Sequence, residues 1–85
     1  MDFPHSDPLD VARRATGLSQ SELWMRYFAL GGMADAMSVE AVVVGLVLTT
    51  PDERDRIVHA LNERFAELGR DDRVAYSDDD LTDPV

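Results

Sequence analysis

Cysteine and lysine are both missing from this chain of 85 residues. Without cysteine there are no disulfides and no thiolate ligands for a metal, so neither kind of cross-link can stabilise the fold. The eight basic residues are all arginine, which we interpret as codon bias toward high GC. Stability must therefore come from helix packing or self-association, because so short a chain buries only a limited share of its surface.

Long apolar runs are missing as well. The longest, AVVVGLVL at 41–48, has eight residues, whereas a membrane-spanning helix needs about 20. The first residues, MDFPHSDP, lack the basic and apolar pattern of a leader sequence. We therefore expect a cytoplasmic protein that does not enter the membrane.

Negative charge is in excess. Seventeen acidic residues face eight arginines, a net charge of −9, and residues 51–85 contribute −6 of it. Such a surface repels phosphate backbones and anionic lipids, and it suits basic partners. The 45% of hydrophobic residues is nevertheless enough for a globular core.

A proline near the N-terminus marks the first predicted helix. Ser6 or Asp7 is placed to cap this helix, with Pro8 at the first helical position, where a missing N–H has no consequence. The helix is expected to end at Gly17, since glycine commonly follows the last helical turn.

A capping box marks the second predicted helix. Ser19 and Glu22 have the required spacing, and Gly31-Gly32 permits a left-handed end after Leu30. Its broad apolar face consists of Leu23, Trp24, Tyr27, Phe28 and Leu30. We expect this face to pack on the third and fourth helices, with Trp24 in the core.

The third segment is ambiguous between helix and strand. Residues 33–37 predict a connector, and Ser38 predicts the cap of a third helix over 39–48. The β-branched residues favour a strand, but a lone strand has no partner here, so we predict a helix. Residues 41–48 would be apolar on every side of that helix, with Gly45 in its middle. Such a helix is either the central element or is covered by a second copy or another partner.

The last helix has the clearest start. Thr50 caps it, and Glu53 is spaced to complete a second capping box, which predicts a helix over 51–68. Its apolar stripe consists of Ile57, Val58, Leu61, Phe65 and Leu68. We therefore expect one helical domain over 1–69, followed by an acidic, flexible, solvated tail over 70–85.

The candidate metal ligands give a weak signal. Asp55, His59 and Glu63 share one face of the last helix, but metal sites normally draw ligands from more than one element. We therefore expect a solvated charged face and no metal, and His5 adds little near the chain end. Because no catalytic triad order, phosphate-binding glycine loop or carboxylate pair occurs, we predict no catalytic residue and no cofactor.

Two blocks of the sequence resemble a known group of proteins. The blocks are ELWxRYFALGG at 22–32 and HAxNERF at 59–65, followed by Tyr76-Ser77. They resemble small, uncharacterised helical proteins of high-GC Gram-positive (actinobacterial) genomes, over residues 18–77. No activity is assigned to that group, so the resemblance implies a bacterial cytoplasmic setting and no functional residue. It also implies that polar residues of these blocks bridge helices, with candidates Glu22, Arg26, Asn62 and Arg64. An example is a bridge from Arg26 or Arg64 to Glu22 or Glu63.

The sequence as a whole predicts an all-α fold, a small bundle of three to four helices. We expect a non-enzymatic protein-interaction or regulatory module that acts through an apolar helical face and forms a homodimer. The candidate face consists of Trp24, Phe28, Met37, Val39, Val43, Leu46 and Val47. An alternative is a small transcription-linked regulator that binds or mimics DNA, or binds a small ligand. Arg13-Arg14 are the candidates for phosphate contact, although the net acidity makes nucleic acid the weaker expectation.

Overall fold

Four helices make up most of the described chain. The computed structural model describes residues 7–77, with α1 at Pro8–Thr16, α2 at Gln20–Ala29, α3 at Ala36–Val43 and α4 at Pro51–Glu67. The described residues contain no strand, so the predicted all-α class is confirmed. The helix α4 packs on α1 and α2, while α3 packs mainly on α2. None of the helices in this range is both long and apolar enough to cross a membrane.

Each helix begins at a side chain that accepts a backbone N–H from its first turn. These residues are Asp7, Ser19, Asp35 and Thr50. The capping box of α2 is confirmed: the hydroxyl of Ser19 accepts the N–H of Glu22, and the carboxylate of Glu22 accepts the N–H of Ser19. Pro8 and Gly17 stand at the two ends of α1 as predicted.

The cap of α4 is confirmed in one half only. The hydroxyl of Thr50 accepts the N–H of Glu53 at 3.2 Å. The second bond of the box, from the N–H of Thr50 to the Glu53 carboxylate, was wrongly predicted, because that carboxylate accepts hydrogen bonds from Tyr27 and Arg56. The local spacing predicted a capping box, but the Glu53 carboxylate bonds to the side chains of Tyr27 and Arg56 and not to the backbone of its own cap.

The third helix is shorter than predicted. Its cap is Asp35, whose carboxylate accepts the N–H of Ser38 at 2.8 Å, so the prediction of Ser38 as the cap is wrong. The helix ends at Val43, and Gly45 has a φ of 85°, in the left-handed region that favours glycine. Its N–H and the next one bond carbonyls of the last turn, which is the usual glycine-terminated helix end. The predicted helix over 39–48 is therefore wrong beyond Val43, because Gly45 terminates the helix.

All four helices contribute to one core. Its buried hydrophobic residues are Leu9, Ala12, Leu18, Leu23, Tyr27, Val39, Val43, Ile57, Val58, Ala60, Leu61 and Phe65. The predicted stripe of α4 is confirmed except for Leu68, which is exposed. Trp24 is only partly buried, so its predicted place in the core is wrong. Tyr27 fills the centre, and a Cβ at Gly32 would lie 2.2 Å from its ring, so glycine is required there.

The chain after α4 lies against the helices as far as the structure describes it. The side chain of Asn62 donates to the carbonyl of Val74 and accepts its N–H, at 3.1 and 2.8 Å. Val74 and Tyr76 pack against the core, and the N–H of Ser77 bonds to Asp55 at 2.8 Å. The expectation of a solvated tail from residue 70 is wrong for these positions, while residues 78–85 lie outside the described range.

Candidate protein-interaction surface

Exposed hydrophobic side chains are concentrated between α2 and α4. Ten large hydrophobic side chains are exposed in the described chain, and six of them lie between Met33 and Leu48. We call these six the apolar surface: Met33, Met37, Val44, Leu46, Val47 and Leu48. Leu48 is 98% exposed and Met33 is 87% exposed. Exposed apolar patches mark interaction sites, so this stretch, with six exposed large hydrophobic side chains within 16 residues, is the first candidate for a functional site.

The early end of α3 explains why the last four of these side chains face solvent. Gly45 turns the chain, and residues 46–50 continue without helical structure and are exposed throughout. The chain reaches Thr50, where α4 begins, without turning these side chains inward. Four of the six members of the apolar surface therefore belong to the segment that leaves α3.

The structure divides the predicted interaction face into two groups. Val39 and Val43 are 3% and 0% exposed, so both belong to the core and their assignment to a face is corrected. The exposed members are Phe28, Met37, Leu46 and Val47. Trp24 lies between the two groups, because it is partly buried and stacks on Phe28 with ring centroids 5.2 Å apart.

A hollow of about 260 Å³ opens beside the apolar surface, between α3 and the loop at 47–49. Its walls are mainly apolar, formed by Ala34, Val39, Ala41, Val42, Val47, Leu48 and Ile57. Ser38, Thr49, Tyr27 and Glu53 add polar groups, and Glu53 is the only ionisable carboxylate among the lining residues. The hollow is smaller than most ligand pockets, which span roughly 300–1,000 Å³, and suits one side chain of a partner.

Tyr27 and Glu53 form the polar floor of this hollow. The Tyr27 hydroxyl donates to Glu53 Oε1 at 2.5 Å and accepts the N–H groups of Met33 and Ala34 at 3.1 and 2.9 Å. Burial, followed by the hydrogen bond to Glu53, raises the pKa of Tyr27 above its usual value of 10.0. The phenol therefore stays protonated at neutral pH and ties the start of the apolar surface to the first turn of α4.

The connector after α2 is held from a second side. The indole N–H of Trp24 donates to the carbonyl of Ala34 at 3.0 Å. Since the N–H of Ala34 bonds to Tyr27, both backbone groups of this residue are fixed by side chains of α2. The exposed side chain of Met33 is therefore carried on a constrained backbone.

The charge around the apolar surface has one sign along the sequence. No basic residue occurs between Arg26 and Arg54, whereas the same stretch contains Asp35, Glu40, Asp52 and Glu53. Asp35 and Glu40 are exposed on α3 or at its start. Hydrogen bonds from Ser38 lower the pKa of Asp35, which keeps its carboxylate charged. Glu53 is partly neutralised, because Arg56 donates to its second oxygen at 2.8 Å.

Two of the four polar residues predicted to bridge helices do so, Arg26 and Arg64, whereas Asn62 bonds to Val74 in the segment after α4. Arg26 donates twice to Glu67, at 2.7 and 2.9 Å, and so joins α2 to α4. The hydrogen bond from Arg26 lowers the pKa of Glu67 to about 2. Arg64 lies 3.3 Å from the same carboxylate and donates to the carbonyl of Thr16 at the end of α1. The expected partners were Glu22 and Glu63, but Glu22 serves in the capping box.

The three side chains considered as metal ligands, Asp55, His59 and Glu63, have partners within the fold. Asp55 accepts a backbone N–H from the segment after α4. His59 lies 3.1 Å from the Tyr76 hydroxyl and, through its other nitrogen, 3.5 Å from Glu63. Over residues 7–77, no three His, Cys, Asp or Glu side chains are grouped to hold a metal. His5 lies outside the described residues.

Most arginines are engaged with carboxylates. Seven of the eight form an ion pair. Arg13 and Arg14 both lie 3.0 Å from Asp10, so the two candidates for phosphate contact share one intramolecular acid. This arrangement offers no row of available cations, and the DNA-binding alternative gains no support from it.

A wider groove of about 580 Å³ lies between α1, α4 and the segment after α4. Its apolar walls include Val11, Ala15, Phe65 and Val74. Sequence reasoning missed this groove, because the segment that forms one wall was expected to be solvated.

Sequence reasoning also missed three members of the apolar surface, Met33, Val44 and Leu48. A glycine between the valine run and Leu46 was the available signal, since glycine is far more common after a helix than inside one. The contact of Glu53 with Tyr27 had no signal in sequence, because 26 residues separate the two and the capping spacing suggested a local partner.

The sequence matches no family model, and neither a search of curated proteins nor a search of solved structures finds a match to the chain.

Proposed function

We propose that this chain is a non-enzymatic protein-interaction module that acts through the apolar surface. The observation that carries this proposal is the exposure of six large hydrophobic side chains between Met33 and Leu48, beside a hollow that suits a partner's side chain. Burial of one such side chain by a partner contributes roughly 1.5–3 kcal/mol before the entropy of association is subtracted. The cytoplasmic setting expected from the sequence is part of the proposal.

The composition of the apolar surface supports protein recognition. Two of its six members are methionines, whose flexible and polarizable side chains adapt to irregular partners. The hollow lies next to Val47 and Leu48, so a partner would find exposed aliphatic groups around a recess. A filled recess surrounded by apolar contacts is the usual arrangement at the centre of a protein interface.

The side chains that could act in catalysis form hydrogen bonds within the fold. Tyr27, Glu53 and His59 each hold a hydrogen bond between separate parts of the chain. This use supports a binding role over a catalytic one, and the proposal includes no cofactor and no metal.

Site-specific photo-crosslinking in the producing cells tests this function without knowledge of the partner. A benzophenone amino acid is placed at Leu46 or Leu48, and in control variants at Ala66, which is also exposed but lies on α4. We expect discrete protein adducts from the first two positions and none of the same mass from the third. Equal adducts at all three positions, or none at any, would contradict the proposal.

The adduct mass also tests the predicted homodimer. An adduct of twice the chain mass of 9.5 kDa identifies a second copy, and any other mass identifies a different protein. Sedimentation of the purified chain at tens of micromolar then measures self-association directly.

A further inference from the structure

We infer that the partner bound by the apolar surface is a basic amphipathic helix of another protein. This inference rests on the proposed function and specifies the partner of the same surface. Three observations carry it: the one-signed charge of the surrounding sequence, the carboxylate in the floor of the hollow, and the unfavourable charge of a pair of identical surfaces.

The charge pattern selects the sign of the partner. From residue 27 to residue 53 the chain contains four acids and no base, and Asp35 and Glu40 are exposed. Rim charges of this kind steer partners of the opposite sign and discriminate against partners of the same sign. A partner with lysine or arginine beside its apolar residues matches this rim.

The hollow offers a place for one cation of the partner. Each oxygen of Glu53 accepts one hydrogen bond, from Tyr27 or from Arg56, and a carboxylate has about four acceptor positions. Apolar residues line the same hollow, so a lysine or arginine can lay its aliphatic stem along them and bring its charge to this carboxylate.

The partner is more readily a helix than an extended strand. The described chain contains no sheet, so a strand would find no sheet edge to pair with. An amphipathic helix brings apolar residues at i, i+3, i+4 and i+7 on one face, and cations can flank that face.

A second copy is the less favourable occupant. Two identical surfaces would bring together two copies of the exposed acids Asp35 and Glu40. The bases beside this surface are already paired, since Arg54, which lines a recess with Val47 and Leu48, lies 3.9 Å from Asp55, and Arg56 lies 2.8 Å from Glu53. Such a pair is destabilised at low ionic strength and is relieved by salt, whereas binding of a basic helix is weakened by salt. The two occupants therefore predict opposite responses to ionic strength.

The test uses the full chain and two synthetic helical peptides of about 18 residues. One peptide carries leucine on one face and lysine on the other, and its counterpart replaces each lysine with glutamate. We expect the lysine peptide to bind at least about tenfold more tightly than the glutamate peptide, and to weaken several-fold as salt rises from about 50 to 300 mM. Equal binding of the two peptides would overturn the inference.

Matched variants separate a local site from general attraction to an acidic protein. Asp35→Asn/Glu40→Gln removes two charges at the apolar surface, and asparagine retains the cap. Glu63→Gln/Asp71→Asn removes the same charge elsewhere. We expect at least about a fivefold loss of lysine-peptide affinity in the first variant and less than about twofold in the second. Equal losses would show that no local site exists.

The apolar contribution is tested in the same assay. Leu46→Ser/Leu48→Ser should weaken the lysine peptide about tenfold, whereas Val11→Ser, at an exposed valine of α1, should not. If neither peptide binds and the chain self-associates more strongly with salt, a second copy is the occupant, and this inference fails while the proposed function stands. If crosslinking also gives no adduct at Leu46 and Leu48, the proposed function fails as well.

Discussion

The helix α4 and the segment 36–48 are both rich in apolar residues, but α4 buries its large apolar side chains, whereas the segment 36–48 buries Val39 and Val43 and leaves most of the others exposed. In α4 the apolar residues Ile57, Leu61 and Phe65 recur at helical spacing, so they fall on one side and all are nearly inaccessible. In the segment 36–48 the apolar residues are almost consecutive, so no single side of a helix can hold them. The helix ends at Val43, and most later apolar side chains stay exposed.

The apolar side chains of the two regions therefore have different roles: those of α4 stabilise the fold, and most of those in the segment 36–48 are available for binding. The side chains of α4 have already lost their water by packing on α1 and α2, so they stabilise the fold and have little left to offer a partner. Those of the apolar surface remain hydrated and are free to be buried by a partner. Apolar content alone does not distinguish the two roles, whereas the spacing of the apolar residues does.

The largest expected effect is the difference between two leucine truncations, one in each region. Leu61 is fully buried in α4, so Leu61→Ala should lower the free energy of unfolding by about 2–5 kcal/mol, because it removes packed methyl groups and leaves a cavity. Leu48 is 98% exposed, so Leu48→Ala should change the free energy by less than about 0.5 kcal/mol. Urea unfolding followed by circular dichroism measures both values. A loss above about 2 kcal/mol for Leu48→Ala would mean that the segment is packed in solution.

The next effect comes from shortening the chain after α4. A chain ending at Gly69 loses the Asn62–Val74 hydrogen bonds and the packing of Val74 and Tyr76, which should cost about 2–4 kcal/mol. A chain ending at Ser77 keeps these contacts and serves as the control. Thermal unfolding compares the two, and equal melting temperatures would show that residues 70–77 are solvated, as the sequence had suggested.

The sequence was sufficient to predict features that depend on local spacing. The capping box of Ser19, the cap at Thr50 and the buried stripe of α4 follow from residues within one or two helical turns. The end of α3 was missed, because a run of valines outweighed the glycine at 45. The positive φ of Gly45 ends the helix there, and the hydrophobic pattern alone did not indicate this.

Features that depend on distant partners could not be predicted. Arg26 was expected to meet Glu22 or Glu63, but the nearest carboxylate in space is Glu67, at the far end of another helix. The packing of Val74 and Tyr76 against the core was not predicted, because the segment around them is acidic on average. An average composition does not indicate which single residues make contacts. Half of the candidate site was missed for the same reason, because exposure is a property of the assembled fold.

A smaller effect is expected at Tyr27, whose hydroxyl joins the first turn of α4 to the connector that leads into α3. Tyr27→Phe keeps the buried ring but leaves the N–H groups of Met33 and Ala34 and one oxygen of Glu53 without this partner. The loss should be about 1–3 kcal/mol, and amide hydrogen exchange at Met33 and Ala34 should accelerate. Unchanged exchange at both amides, with stability also unchanged, would show that the hydroxyl does not hold the connector in solution.

The pH dependence of this variant gives an independent check. Since the pKa of Tyr27 is raised in the folded state, its contribution to stability is complete below pH 10 and is lost as the pH rises through the folded pKa. The stability difference between the unmodified chain and Tyr27→Phe should therefore shrink only at strongly alkaline pH. Absorbance of the phenolate near 295 nm follows the titration.

The smallest effect is expected for Glu67, which lies on the exposed end of α4 and far from the apolar surface in sequence. Its pKa of about 2 is below its usual value of 4.5, because Arg26 holds the carboxylate in the charged form. Its contribution to stability is therefore complete above about pH 4.5 and is lost as the pH falls toward 2. Glu67→Gln should lower the melting temperature slightly at pH 7, and the difference from the unmodified chain should disappear near pH 2. Glu40→Gln removes the same charge from α3 and should leave the peptide-free protein's melting temperature nearly unchanged at both pH values. A difference for Glu67→Gln that persists undiminished at pH 2 would contradict the ion pair as its source, and would leave only packing to join this end of α4 to α2.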